Sequence, residues 1–139
     1  MIKKINSVML IDDNPHDNFF HERIIHRVLP EALVITKTDA ISALEYFKEN
    51  GKNPDGMPDL IFLDINMPRM NGWEFLEHFN RLDIQVPETV VSIMLTTSEN
   101  PDDIAKSKQW NFIHDFKTKP LTEDMLTSII DSYFLSRGV

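Results

Sequence analysis

Asp64 closes the apolar run Leu60-Ile61-Phe62-Leu63. Three other runs end in the same way. Val8-Met9-Leu10-Ile11 leads into Asp12-Asp13, Val90 to Leu95 into Thr96-Thr97, and Phe112 to Phe116 towards Lys119-Pro120. A lone acid at the end of a buried strand is placed for chemistry rather than packing. If these runs are parallel strands, their carboxyl ends meet at one edge of a sheet, where ligands bind in open α/β folds. That edge holds the carboxylates of Asp12, Asp13 and Asp64, the hydroxyl of Thr96 and the ammonium of Lys119.

A carboxylate can attack a phosphoryl group and become an aspartyl phosphate. The obstacle is charge, because an anion must approach a polyanion. A hard divalent cation removes it: Mg²⁺ takes oxygen ligands and bridges carboxylates to phosphoryl oxygens. Lys119 would neutralise a further phosphoryl oxygen, and Thr96 would donate a hydrogen bond to another. Such a site works by positioning and electrostatic stabilisation.

The elements that must bring these groups together alternate strand and helix five times. Ser7 to Ile11 reads as a strand. Asn14 suits an N-cap and Pro15 the first helical position. The helix runs to about Leu29, with Phe20, Ile24 and Val28 on one apolar stripe. Leu33–Lys37 reads as a strand and Ala40–Glu49 as a helix. Asn50 to Pro58 is a polar loop. The third strand ends at Asp64, and a helix follows from Gly72 to about Arg81. Thr89–Leu95 is the fourth strand, and Asn100-Pro101 opens the fourth helix. Asn111–Phe116 is the fifth strand and Leu121–Ser136 the last helix. This alternation predicts a doubly wound parallel sheet with helices on both faces. The 139 residues read as one domain, 1–139.

Composition excludes other classes. The net charge of −8, with scattered Lys and Arg, disfavours direct nucleic-acid binding. No apolar stretch approaches the ~18 residues of a membrane span. The chain has no cysteine, so disulfides and thiolate metal sites are ruled out, in keeping with a cytoplasmic location. His16, His21 and His26 are spaced so that successive imidazoles fall about 140° apart on a helix. They cannot converge on a metal and read as surface or partly buried.

Asp12-Asp13, Asp64 with Met67-Pro68 and Gly72, Thr96, and Lys119-Pro120 together resemble the response-regulator receiver domain of two-component signalling, in its stand-alone form. The resemblance runs from about Ile5 to about Leu135. It implies a flavodoxin-like fold with strand order 2-1-3-4-5. It implies Asp64 as phosphoacceptor, Asp13 as direct Mg²⁺ ligand and Asp12 acting through a metal-bound water. The backbone carbonyl of Asn66 would complete the metal site. Thr96 and Lys119 would sense the phosphoryl group, Phe116 would be the aromatic that swings inward, and Lys119-Pro120 would be cis. Only about 5% of X-Pro bonds in folded proteins are cis. Asn66 and Ser98 stand where family members differ in aspartyl-phosphate lifetime. Thr97 departs from the smaller residue usual after the threonine.

The implied partners are a histidine kinase or phosphotransfer protein and a downstream protein bound through the fourth helix, fifth strand and fifth helix. The implied activity is self-modification rather than turnover of a separate metabolite. A phosphorelay intermediate and a never-phosphorylated interaction module use the same residues. A phosphohydrolase of the haloacid-dehalogenase kind would need an acid where Asn66 stands.

Overall fold

The computed structural model describes residues 4–53 and 55–135. Five strands alternate with five helices: β1 (Ser7–Ile11), α1 (Pro15–Val28), β2 (Leu33–Lys37), α2 (Ala40–Asn50), β3 (Leu60–Leu63), α3 (Gly72–Arg81), β4 (Val91–Thr96), α4 (Pro101–Ser107), β5 (Asp115–Thr118) and α5 (Glu123–Tyr133). Every neighbouring pair is parallel and the order is β2-β1-β3-β4-β5. That is the expected flavodoxin-like order. All the carboxyl ends therefore point to one edge.

Side-chain alternation divides the core. Val8 and Leu10 of β1, Leu60 and Phe62 of β3, and Ile93 and Leu95 of β4 pack with Ile24 and Ile25 of α1 and Leu126 and Ile129 of α5. Met9, Ile11, Ile61, Leu63 and Met94 face the other way, against Phe47 of α2 and Phe75, Leu76 and Phe79 of α3. With both faces covered, β1, β3 and β4 read as continuous apolar runs.

Each helix starts on a side chain that satisfies its first amides. Asn14 accepts from the N–H of His16 and Asp17. Asp39, Asn100 and Thr122 play the same part for α2, α4 and α5. Asn71 and Glu74 form a reciprocal capping box on α3.

Four expectations need correction. β4 lies at Val91–Thr96 rather than Thr89–Leu95, because the Val90 N–H closes a turn on Pro87 O. β5 is Asp115–Thr118 rather than Asn111–Phe116. After α4, successive turns link Trp110 N–H to Ser107 O and Ile113 N–H to Trp110 O, and the ladder begins only where His114 N–H reaches Ser92 O. The last helix is Glu123–Tyr133, with Leu121 buried ahead of its cap; Ser136 lies outside the described residues. On α1, Phe20 is 48% exposed, so the inward stripe is not Phe20-Ile24-Val28. Asn18, His21, Ile24 and Ile25 are the buried residues of that helix.

Candidate active site at the carboxyl edge of the sheet

The ladder runs one residue beyond two strands to carry the acids. Asp64 N–H donates to Ile11 O and Asp12 N–H to Lys37 O, both at 3.0 Å. Asp64 Oδ1 accepts from the Ile65 N–H at 2.8 Å, and Asp12 Oδ1 from the Asn14 N–H at 3.0 Å. Both carboxylates are buried. Asp13 is half-buried, and it brings a carboxylate oxygen within 4.8 Å of one from each of the other two. Three oxygen donors at that spacing suit a hard cation such as Mg²⁺. Gly72 leaves room beneath: a Cβ there would stand 2.5 Å from Asp64 O. Its N–H also bonds Ile65 O at 2.8 Å, pinning the turn behind the acid.

Lys119 arrives from β5. Its N–H donates to Thr96 O at 2.8 Å, and the Lys119-Pro120 bond is cis, as expected. The ammonium is buried among carboxylates: Asp12 Oδ2 at 2.5 Å, Asp17 Oδ2 at 2.9 Å and Asp64 Oδ2 at 3.3 Å. Burial alone would lower the lysine pKa. Hydrogen bonds to Asp12 and Asp17 and the charges of Asp12 and Asp64 outweigh it and raise the pKa above the usual lysine value. Burial pushes the Asp12 carboxyl above its ordinary value, against the opposing bonds from Lys119 and the Asn14 N–H. Asp17 was not among the residues expected here.

The remaining expected residues are divided between the site and its surroundings. Thr96 is fully buried, and its Oγ1 accepts from the Ser98 N–H at 3.4 Å. The Ser98 hydroxyl donates to Asp103 Oδ2 at 2.6 Å, tying the loop to the first turn of α4. Thr97 is exposed. Asn66 is exposed in the loop after Asp64. Phe116 pairs with Met94 across the ladder and is half-buried against the α2–α3 side of the core. It precedes Lys119 by three residues, one pair before the Leu95–Lys117 and Thr96–Thr118 pairs of the ladder.

His21 corrects the expectation of a surface or partly buried side chain: it is 2% exposed. Its Nε2 accepts the Leu121 N–H at 3.3 Å, two residues past Lys119. Burial first, and the nearby Lys119 charge second, push its pKa below the ordinary histidine value. An unfolded chain then takes up a proton near pH 6.5 that the folded chain refuses. Stability conferred by neutral His21 is full above that pH and falls as pH drops towards the depressed folded value. The acid-side slope of unfolding free energy in urea is expected to flatten in His21→Gln, which keeps an acceptor for the Leu121 amide. An unchanged slope would show that His21 does not carry it.

The geometry can now be set beside known proteins. The pattern of the response regulator receiver domain matches residues 8–131. The chain belongs to this family. A two component response regulator from Cytophaga hutchinsonii superposes with a TM-score of 0.83 at 30% identity, over 94% of this chain and 98% of that one. Response regulator Rcp1 of Synechocystis is 26% identical over 103 residues, 72% of this chain and 67% of that protein. A phosphorylated cyanobacterial phytochrome response regulator, RcpA, matches with a TM-score of 0.69 at 26% identity, over 93% of this chain and 91% of that one. As a receiver domain, the chain is a phosphorylation-based signalling switch. Receivers generally bind Mg²⁺ at an acidic pocket, and Asp12, Asp13 and Asp64 form such a pocket here. No helix among the described residues is long and apolar enough to cross a membrane.

Proposed function

We propose that Asp64 accepts a phosphoryl group from the phosphohistidine of a histidine kinase or phosphotransfer protein. One observation carries this reading: Asp12, Asp13 and Asp64 converge within 4.8 Å, with the Lys119 ammonium 3.3 Å from Asp64. The all-oxygen donor set fits Mg²⁺, which Asp13 and Asp64 would hold, with Asp12 and the Asn66 carbonyl as the further residues that would serve it. When bound, the ion supplies the positive charge that lets an anionic donor approach three acids.

The rest is the work of the chain itself. The Ile65 amide holds Asp64 Oδ1, leaving Oδ2 to attack. Lys119, already against Oδ2, follows the negative charge onto the phosphoryl oxygens. Thr96 donates its hydroxyl hydrogen to another oxygen, a bond compatible with its acceptance from the Ser98 N–H. Phe116 then repacks, and the α4–β5–α5 surface changes its affinity for a downstream protein by population shift.

The test is incubation with acetyl phosphate, with and without Mg²⁺, followed by intact mass. One phosphate adduct is expected with Mg²⁺, and EDTA should slow its appearance by roughly a hundredfold or more. A wild-type protein that stays unlabelled where a control receiver is labelled would favour a constitutive interaction module instead.

A further inference from the structure

The inward face of α1 is polar where it meets the site. Asn14, Asp17, Asn18 and His21 follow heptad-like spacing, and the same stripe continues as Ile24, Ile25 and Val28. Apolar residues would fill the upper half at lower cost, since buried polar groups lose hydration. Asn14 caps the helix, and the other three reach the residues of the acid site or the backbone just past Lys119. Asn18 Nδ2 donates to Asp12 O at 2.8 Å. His21 Nε2 holds the Leu121 N–H, and Asp17 Oδ2 holds the Lys119 ammonium. Asn18 and His21 also line a small cavity shared with Asp12 and Asp64, and Asn18 Oδ1 has no hydrogen-bond partner.

We propose that Asp17 is a positioning residue for phosphoryl transfer, aiming the Lys119 ammonium at Asp64 from a helix that grips both flanks of the site. This rests on the phosphoacceptor reading above. An ammonium has three N–H donors, and here each has a carboxylate. Asp64 would carry the phosphoryl group, and Asp12 would also serve the cation. Asp17 is the partner that stays the same before and after. Its position in the first turn of α1, where the helix dipole favours an acid, would explain an exposed carboxylate. It does not explain one turned onto a buried lysine on another element.

In the reaction, an Asp64 carboxylate oxygen forms a bond to phosphorus. The P–O bond of acetyl phosphate breaks, and acetate leaves with the electron pair. Asp17 takes no part in these bonds. Its loss should therefore lower the maximal rate and leave the half-saturating donor concentration and the Mg²⁺ affinity within about twofold.

The experiment follows aspartyl-phosphate formation from acetyl phosphate in wild type, Asp17→Asn, Asp17→Glu and the Lys119→Arg background. We expect roughly a tenfold lower maximal rate for Asp17→Asn, substantial recovery in Asp17→Glu, and little further loss when Asp17→Asn is added to Lys119→Arg. In the metal-free protein, the Lys119 ammonium ¹H–¹⁵N signal should be sharp in wild type and broaden through solvent exchange in Asp17→Asn. Equal rates in wild type and Asp17→Asn, or the same loss in both backgrounds, would overturn the positioning role alone. A wild type that takes no phosphate would overturn the receiver chemistry and this role with it.

Discussion

Asp64→Asn is expected to carry no phosphate under conditions that label the wild type, a loss of at least about a thousandfold in rate. The substitution keeps the size of the side chain and an oxygen that can accept the Ile65 N–H. It removes the nucleophilic charge and one anionic donor for the cation. The fold should survive, because the β1–β3 ladder is held by backbone bonds and by fully buried Leu60, Ile61 and Leu63. Intact mass reads the adduct, and circular dichroism reads the fold. A labelled Asp64→Asn protein would move the phosphoacceptor elsewhere.

Lys119→Met should give the largest change in resting stability. The lysine is the one cation in contact with Asp12 and Asp64 among the described residues, and all three side chains are 8% exposed. Removing one partner of a buried ion pair leaves uncompensated charge and costs about 3 kcal/mol or more. For a chain of this size that corresponds to a fall of roughly 10 °C in melting temperature. The sign with pH follows from Asp12. Its folded pKa lies above the ordinary carboxylate value, so the folded state binds its proton more tightly than the unfolded state does. Ionising it costs stability as pH rises through the folded pKa. The deficit of Lys119→Met should shrink in acid and reach its full size near neutral pH. Mg²⁺ should recover much of it, because a divalent cation replaces the missing charge. Thermal melts in EDTA and in Mg²⁺ at two pH values test this. A variant as stable as wild type in EDTA at neutral pH would show that the cluster is hydrated rather than held by the lysine. The same variant should form the adduct roughly a hundredfold more slowly.

Much of the edge was legible because strand chemistry is local. β1, β3 and β4 are apolar on both faces, and each carries its reactive residue at or just past its end. Asp12, Asp64 and Thr96 could be placed without knowing the packing. β5 was harder. It is the edge strand Asp-Phe-Lys-Thr, half-buried throughout, while the more apolar Phe112-Ile113 ahead of it packs as a turn. Hydropathy favours the wrong segment there. α1 misled in another way. Phe20 continues the apolar stripe in the sequence, but it and its neighbour Phe19 are exposed, and an Arg23 guanidinium lies 5.8 Å from the Phe19 ring centre. A signal for Asp17 and His21 was present. Stepping back in heptad register from Ile24, Ile25 and Val28 lands on His21, then Asp17 and Asn18, then Asn14. Polar residues continuing an apolar stripe mark the place where a helix leaves the core for a site.

The surplus of acids at the edge also governs how a donor gets there. Asp12, Asp17 and Asp64 contact one lysine, and Asp13 stands beside Asp12 and Asp64, on a chain whose overall charge is −8. A small phosphorylated anion diffuses against this field, and added electrolyte shields it from the repulsion. A protein donor with a basic surface is drawn in by the same field and loses that steering as electrolyte rises. Ionic strength is thus expected to push the two kinds of encounter in opposite directions, which phosphorylation rates measured across a salt series with each kind of donor would show.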